Sequence, residues 1–398
     1  MVIFGCGSIT GNLERNQVKQ TRKITAIEQN LLGVRIEESP ALLPGLALCA
    51  VLAVVSIWLS DVIGINLLGF EKSPISAVIV AIILGLIVGN LLPLPAWVKP
   101  GFNFAVRKVL RLGIILLGIR LSIYDVFKLG VLGIPIVVLC ITGALLLTDY
   151  LARWLKLPQR LGTLIAVGTS ICGASAIVAT SPAIEAKEEE IAYAVAVITL
   201  FGILATLLYP YAAHAIFQAD ALRAGLFLGT SIHETAQVSG AGLVYAEVFS
   251  APQALNVATV TKLVRNTLMV AVVPLMAYVY SRRGGKGRQV SFSQLFPLFI
   301  LGFLATAVLR TIGDAFLNSG AAAYGIWNAA GWKALHTATA NWASNFLVVA
   351  LASVGLTTRY SILKGLGIKP LLVGLFAALM VGFLSWLAIL LLGGQGVL

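Results

Sequence analysis

Residues 161–182 read LGTLIAVGTSICGASAIVATSP, and this stretch decides the fold. It is apolar enough for a bilayer, yet Thr169, Ser170, Gly173, Ser175 and Thr180 interrupt it near mid-depth. Backbone released from helical bonding is tolerated at that depth only where it is buried in protein or lines a wet cavity. The stretch therefore predicts a helix broken inside the membrane. The half beginning near Gly173 would aim unpaired N–H groups, with their partial positive charge, at the midplane. The competing expectation is an unbroken helix packed closely through its small residues.

Part of the interruption returns further on. Gly168-Thr169-Ser170-Ile171 recurs as Gly229-Thr230-Ser231-Ile232, inside residues 225–242, GLFLGTSIHETAQVSGAG. This second stretch also carries His233, Glu234, Gln237 and Ser239, too many polar groups to face lipid. Read as one helix, it sets Ser231, Glu234 and Val238 on one face and Thr230, His233 and Gln237 on the adjacent one. Pro210 and Pro274 are expected to close the helices that follow each copy.

Composition sets the solvent. Of 398 residues, 59% are hydrophobic and 11% charged, against roughly a quarter charged in a soluble domain. Eleven apolar runs are expected to span the bilayer as helices: 42–60, 75–92, 104–121, 130–151, 161–181, 190–213, 221–245, 254–280, 292–312, 335–356 and 370–392. The mixed-charge segment before them, residues 1–40, has no signal-peptide pattern and is read as a cytoplasmic tail ahead of one membrane domain, 41–398. With the N-terminus inside, nineteen Lys and Arg fall on the cytoplasmic side and four outside, at Lys72, Lys128, Lys187 and Lys333. Loop cations bias orientation this way, so the asymmetry supports an odd number of spans and a periplasmic C-terminus. The net charge of +12 is spread over short loops instead of one basic module, which excludes a nucleic-acid partner.

A longer echo suggests the plan of the bundle. Leu121, Ser122, Gly130 and Pro135 match Leu356, Thr357, Gly365 and Pro370 at a constant offset of 235. This aligns the third and fourth spans with the tenth and eleventh, in opposite orientation, as inverted-repeat transporters do. The GTSI echo joins spans of the same orientation, so the two do not reduce to one simple repeat.

Charges inside the spans carry the functional expectations. Lys262 and Arg265 sit three apart in ATVTKLVRNTLMV, on one side of a helix, with Arg265 near mid-depth. Such an arginine costs about 2.5–3.5 kcal/mol on insertion scales, so a partner is expected. The partner is either an anionic substrate, whose oxygens suit a guanidinium fork, or a carboxylate such as Glu234 or Asp149. Thr169, Ser170, Gly173 and Ser175 are expected to cradle the anion beside Thr230 and Ser231. His233 and Glu234 are candidates to carry a coupling proton, because imidazole titrates near neutral pH and a carboxylate can be tuned towards it. Arg111, Arg120 and Arg310 lie near span ends, where snorkelling accounts for them. Asn341, Ser344 and Asn345 put polar groups at the start of the tenth span, and Gly85 with Gly89 forms a packing GxxxG. The residues show no Walker loop, nucleophile elbow, HExxH or CxxC pattern, and no cofactor is expected.

Three stretches, LRLGIILLGIRLSIYDV at 110–126, GTSICGASAIVATSP at 168–182 and GTSIHETAQVSGAG at 229–242, resemble the bacterial YeiH-like family, also called sulfate exporters. The resemblance covers about residue 40 to the C-terminus. It implies a relative of the cation/proton antiporter and anion transporter superfamily, with inverted repeats, crossing discontinuous helices and a core that moves against a panel.

The leading expectation is thus an ion-coupled secondary transporter, exporter included, in the inner membrane, for sulfate, a sulfonate or a carboxylate. Proton or sodium would be the coupling ion, and a second copy in a homodimer a candidate partner. The alternatives are a sodium/proton antiporter and a non-transporting intramembrane enzyme or structural protein, the enzyme resting on Cys172 with His233.

Overall fold

The computed structural model describes residues 36–68, 73, 76–282, 297–358 and 367–394. Residues 1–35 of the expected tail, 283–288 of the loop RRGGKGR (282–288) and Gly365 of the 235-residue echo lie outside the described residues.

All described secondary structure is helical apart from one isolated bridge, Ala323 to Trp327. Helix α1 (Leu43–Asp61) runs on as a π-helical turn, Val62–Leu67, and α2 (Ala77–Leu91) follows. Helices α3 (Lys99–Phe104) and α4 (Leu110–Leu117) are joined by a second π segment, Ala105–Val109, and α4 ends in a 3-10 turn, Gly118–Arg120. The chain continues through α5 (Ile123–Trp154), α6 (Gln159–Ser170), α7 (Ala174–Thr180), α8 (Glu188–Ile216), α9 (Ala221–Ser231) and α10 (Thr235–Val248). It ends with α11 (Pro252–Thr267), α12 (Met269–Arg282), α13 (Phe299–Asn318), α14 (Ala329–Thr357) and α15 (Ile368–Gly394).

Local chemistry starts these helices. Ser76 Oγ accepts the Val78 N–H at 3.1 Å to open α2, and Asp220 Oδ1 accepts from Leu222 at 2.9 Å and Arg223 at 3.0 Å to open α9. Ser122 and Asp125 form a reciprocal capping box at α5.

Among the described residues, six helical units, α1 with its π turn, α5, α8, α13, α14 and α15, are each long and apolar enough to cross a membrane, and α11 with α12 makes a seventh if that pair, bent by 41°, counts as one. The protein is therefore a multi-pass membrane protein. The other four apolar runs, 75–92, 104–121, 161–181 and 221–245, are built from shorter helical pieces. Neither proline closes its helix: Pro210 lies inside α8 and Pro274 inside α12. In a bundle, neighbouring helices re-satisfy the backbone that a proline frees, so the break expected in water is not forced.

Packing sorts the helices into two groups. In one, α14 lies along α2, α4 and α1, with α13 against α4. Here the backbones come very close: a Cβ on Gly85 would sit 2.4 Å from Ala352 O, one on Gly89 2.5 Å from Leu356 O, and one on Gly355 2.4 Å from Ile82 O. In the other, α11 is the centre, touching α9, α10 and α5, while α15 covers α5, α9 and α8, and α6 and α7 pack on α8. The seam between the groups runs where α10 meets α14 and α2 and where α13 meets α5.

Candidate functional site

Both GTSI copies end a helix inside the bundle. Helix α6 stops at Ser170, Ile171 turns away at φ −123°, ψ −95°, and Gly173 sits at φ +66°, ψ −125°, a backbone conformation that side chains other than hydrogen resist. Helix α9 stops at Ser231; Ile232 is extended at φ −86°, ψ 141° and Glu234 at φ −97°, ψ 147°. This corrects the single-helix face pattern for residues 225–242. Ser231 and Val238 lie on different helices, and His233 and Glu234 lie in the break itself.

A helix end leaves carbonyls without helical partners, and in lipid each must find a donor. In α6 the N–H groups of Ile171 and Gly173 bond the oxygens of Val167 at 3.2 Å and Gly168 at 3.0 Å. The oxygens of Thr169, Ser170 and Ile171 remain. Arg265 takes the first two, through Nη2 on Thr169 and Nε on Ser170 at 2.7 Å, and Lys262 Nζ takes Ile171 at 2.7 Å. The same two side chains serve α9. Arg265 Nη1 donates to Thr230 at 2.5 Å and Ile232 at 3.2 Å, while Lys262 Nζ donates to Ile232 at 3.0 Å and to His233. Helix α11 thus carries two cations on one side, as the three-residue spacing implied, and they staple both interrupted helices.

Lys262 and Arg265 are 0% exposed. The ion pairs formed between described residues are Arg153–Asp149 at 3.0 Å, Arg223–Asp220 at 3.4 Å and Arg310–Asp314 at 2.5 Å, so neither buried cation faces a carboxylate at pairing distance. The carboxylate partners expected as alternatives, Glu234 and Asp149, do not take that place.

The hydroxyls of the motif turn inward on their own helices. Thr169 Oγ1 bonds Ile165 O at 2.8 Å, Ser170 Oγ bonds Ala166 O at 2.5 Å, Thr230 Oγ1 bonds Leu226 O at 2.7 Å and Ser231 Oγ bonds Phe227 O at 2.5 Å. Such bonds to the preceding turn loosen and bend a helix, which suits a segment that must stop. Thr230 Oγ1 also meets Ser385 Oγ at 2.6 Å, which ties α9 to α15.

Glu234 spans the crossing. Its Oε1 accepts from the Ala174 N–H that opens α7 and from Thr199 Oγ1, both at 3.3 Å, and its own N–H donates to Gln237 Oε1 at 3.2 Å. Gly173 is required there, because a Cβ would lie 2.3 Å from Glu234 Cγ. His233 is buried, and neither ring nitrogen has a hydrogen-bond partner among the described residues. Of the expected site residues, Gly173, Glu234, Lys262 and Arg265 converge with the motif carbonyls, whereas Ser175 is exposed on α7.

Arg120 ends a span, where snorkelling is expected, but a helical side chain leans towards the N-terminus of its helix, and Arg120 stays within the bundle. Its Nη2 reaches Ser344 Oγ on α14 at 3.5 Å, and its Nε is buried. Arg111 lies over the Phe299 ring, 5.7 Å from the centroid, and Arg310 is held by Asp314.

Fold and site together define a multi-pass helical membrane protein with two helices interrupted at a shared, cation-stapled crossing. The family model described as Conserved hypothetical protein 698 matches residues 44–374. A UPF0324 membrane protein of Streptococcus agalactiae is 32% identical over 83% of this chain and 92% of its own length. The UPF0324 inner membrane protein YeiH of Escherichia coli is 32% identical over 85% and 92%, and a UPF0324 membrane protein of Fusobacterium nucleatum is 31% identical over 77% and 86%. The chain belongs to this YeiH-like family.

Proposed function

We propose that the chain is an ion-coupled secondary transporter of a small anion such as sulfate, a sulfonate or a carboxylate, in the bacterial inner membrane. The observation that carries this reading is the pair of fully buried cations, Lys262 and Arg265, without a carboxylate at pairing distance. Seven contacts to carbonyl dipoles hold them, but dipoles do not cancel two net charges. Glu234, held at the same crossing by Ala174 and Thr199, offsets one of the two charges, so the crossing keeps a net positive charge in a low dielectric, where an anion is drawn and a cation repelled.

In this reading Lys262 and Arg265 act through the backbone they hold. Thr169, Ser170, Gly173, Thr230 and Ser231 shape the crossing, Ser175 lies at its exposed side, and His233 and Glu234 are the groups that carry a coupling proton. Eleven spans arranged as an inverted repeat fit the packing: α4 lies on α14 and α5 on α15, the pairs joined by the offset of 235. One membrane domain, 41–398, follows the cytoplasmic tail, and the two packing groups are the parts that move during transport. A homodimer is the proposed assembly.

A sodium/proton antiporter is the second reading, and Glu234 is the observation in its favour. Against it, the carbonyls that would ligate sodium are occupied by Lys262 and Arg265. An intramembrane enzyme has less support, since the Cys172 thiol lies on Met269 Sδ at 3.7 Å and not on His233.

The test is uptake of labelled sulfate, alkanesulfonate and dicarboxylate into proteoliposomes under imposed pH and sodium gradients. Saturable uptake of one anion, driven by a gradient, is expected. Sodium or proton exchange without anion movement would overturn the assignment.

A further inference from the structure

We infer that Arg120 is the substrate's guanidinium ligand, in an anion site between the turn that ends α4 and the polar strip of α14; this rests on the anion-transport reading. All three Lys262 protons and four of the five Arg265 N–H groups are on backbone carbonyls, so a two-donor guanidinium fork for a moving anion must come from elsewhere. Arg120 has such donors. It belongs to no ion pair between described residues, its one hydrogen bond is the 3.5 Å contact to Ser344 Oγ, and its Nε is buried without a partner. A buried, unpaired guanidinium N–H is costly and needs an acceptor.

The turn that carries Arg120 is held in place. A Cβ on Gly118 would sit 2.4 Å from Phe303 O, so the 3-10 turn presses directly on α13. Ile123 N–H donates to Thr311 Oγ1 at 2.8 Å, and Arg310 Nη1 reaches Ile119 O at 3.4 Å. With its backbone fixed on α13, Arg120 extends its side chain towards α14, where Asn341, Ser344 and Asn345 form a polar strip at helical spacing. The carboxylate whose field reaches it is Glu247 at the end of α10, which accepts from Ser76 Oγ at 2.7 Å. Arg120 therefore projects from the turn that ends α4 onto the polar strip of α14. A planar fork prepared there suits a sulfate, sulfonate or carboxylate headgroup.

The test uses full-length protein carrying Cys6→Ser, in which the remaining cysteines, Cys49, Cys140 and Cys172, are buried. Ser344→Cys is introduced, with Asn345→Cys as a second reporter should the first not fold. Each is reacted with an anionic sulfonate and a cationic trimethylammonium methanethiosulfonate. The anionic reagent is expected to react about tenfold faster, after correction for its rate on a free thiol, because a fixed positive charge concentrates it. Arg120→Gln should abolish that preference, Arg120→Lys should keep most of it, and sulfate or alkanesulfonate should slow the labelling. Absence of labelling at both reporters, or a preference unchanged by Arg120→Gln, overturns the inference. In uptake assays Arg120→Gln should lower kcat/KM roughly ten- to a hundredfold; undiminished uptake overturns Arg120's role and leaves the transporter standing. Labelling as expected in a protein that moves no anion would keep the site and remove the transporter reading.

Discussion

Gly173 and Glu234 press together where the two interrupted helices cross, so that a Cβ on Gly173 would lie 2.3 Å from Glu234 Cγ. Gly173 also holds φ +66°, a strain of about 1–3 kcal/mol for other residues. Gly173→Ala therefore meets two penalties, strain and overlap, and should lose about 2–5 kcal/mol of stability. Thermal melting of purified protein in detergent checks it, and a wild-type melting temperature would show that the crossing is looser than described.

Arg265 has donors on four carbonyl oxygens, those of Thr169, Ser170, Thr230 and Ile232. Arg265→Leu strands three of them, the oxygens of Thr169, Ser170 and Thr230, while Ile232 keeps its bond from Lys262. Each buried acceptor left unpaired costs about 1–3 kcal/mol, so most of this variant should fail to reach a monodisperse state. Arg265→Lys keeps the charge but not the fork and should fall between. Size-exclusion profiles decide the matter. If Arg265→Leu folds and melts like wild type yet no longer binds anion, the guanidinium contacts substrate directly, as the sequence alone had suggested.

The break in 161–182 was legible because its cause is local, whereas the second, at Ile232 to Glu234, contradicts the single-helix pattern of 225–242. Thr, Ser and Gly at the ends of the GTSI copies are visible in the letters, and so is the three-residue spacing that puts Lys262 and Arg265 on one side of α11. What those cations bind was not legible. The acceptors are backbone oxygens about 30 to 95 positions away, and a sequence shows no carbonyl. Side-chain carboxylates such as Glu234 and Asp149 are the anionic partners that letters can show. For Arg120, position along a span points to snorkelling, whereas the direction in which a helical side chain leans turns it towards Ser344.

Sodium should be dispensable. In a crossing of interrupted helices the freed carbonyls are the natural ligands for a small cation, but here Lys262 and Arg265 already occupy them. Replacing sodium with N-methylglucamine should leave both the melting temperature and the initial rate of anion uptake unchanged within about twofold, since a ligand that stabilises must bind the folded state. A sodium-dependent rise of several degrees would mean that a cation site exists apart from these carbonyls.

Glu234 is the acidic group at the crossing, and Glu234→Gln separates its two roles. As an acceptor, Oε1 holds the Ala174 N–H and Thr199 Oγ1, and an amide oxygen can hold both. Loss of stability should therefore stay near 1 kcal/mol, the scale of one altered hydrogen bond. As a proton carrier the amide is inert. Anion counterflow, which needs binding and movement but no net proton transfer, should persist in Glu234→Gln, whereas accumulation driven by a pH gradient should be lost. Thr199→Val supplies the control: it removes one donor while keeping the carboxylate, and should retain gradient-driven uptake. Should Glu234→Gln still accumulate anion against a gradient, coupling passes to the neighbouring His233, whose buried ring has both nitrogens unpartnered. In that case His233→Gln is the variant that must abolish it.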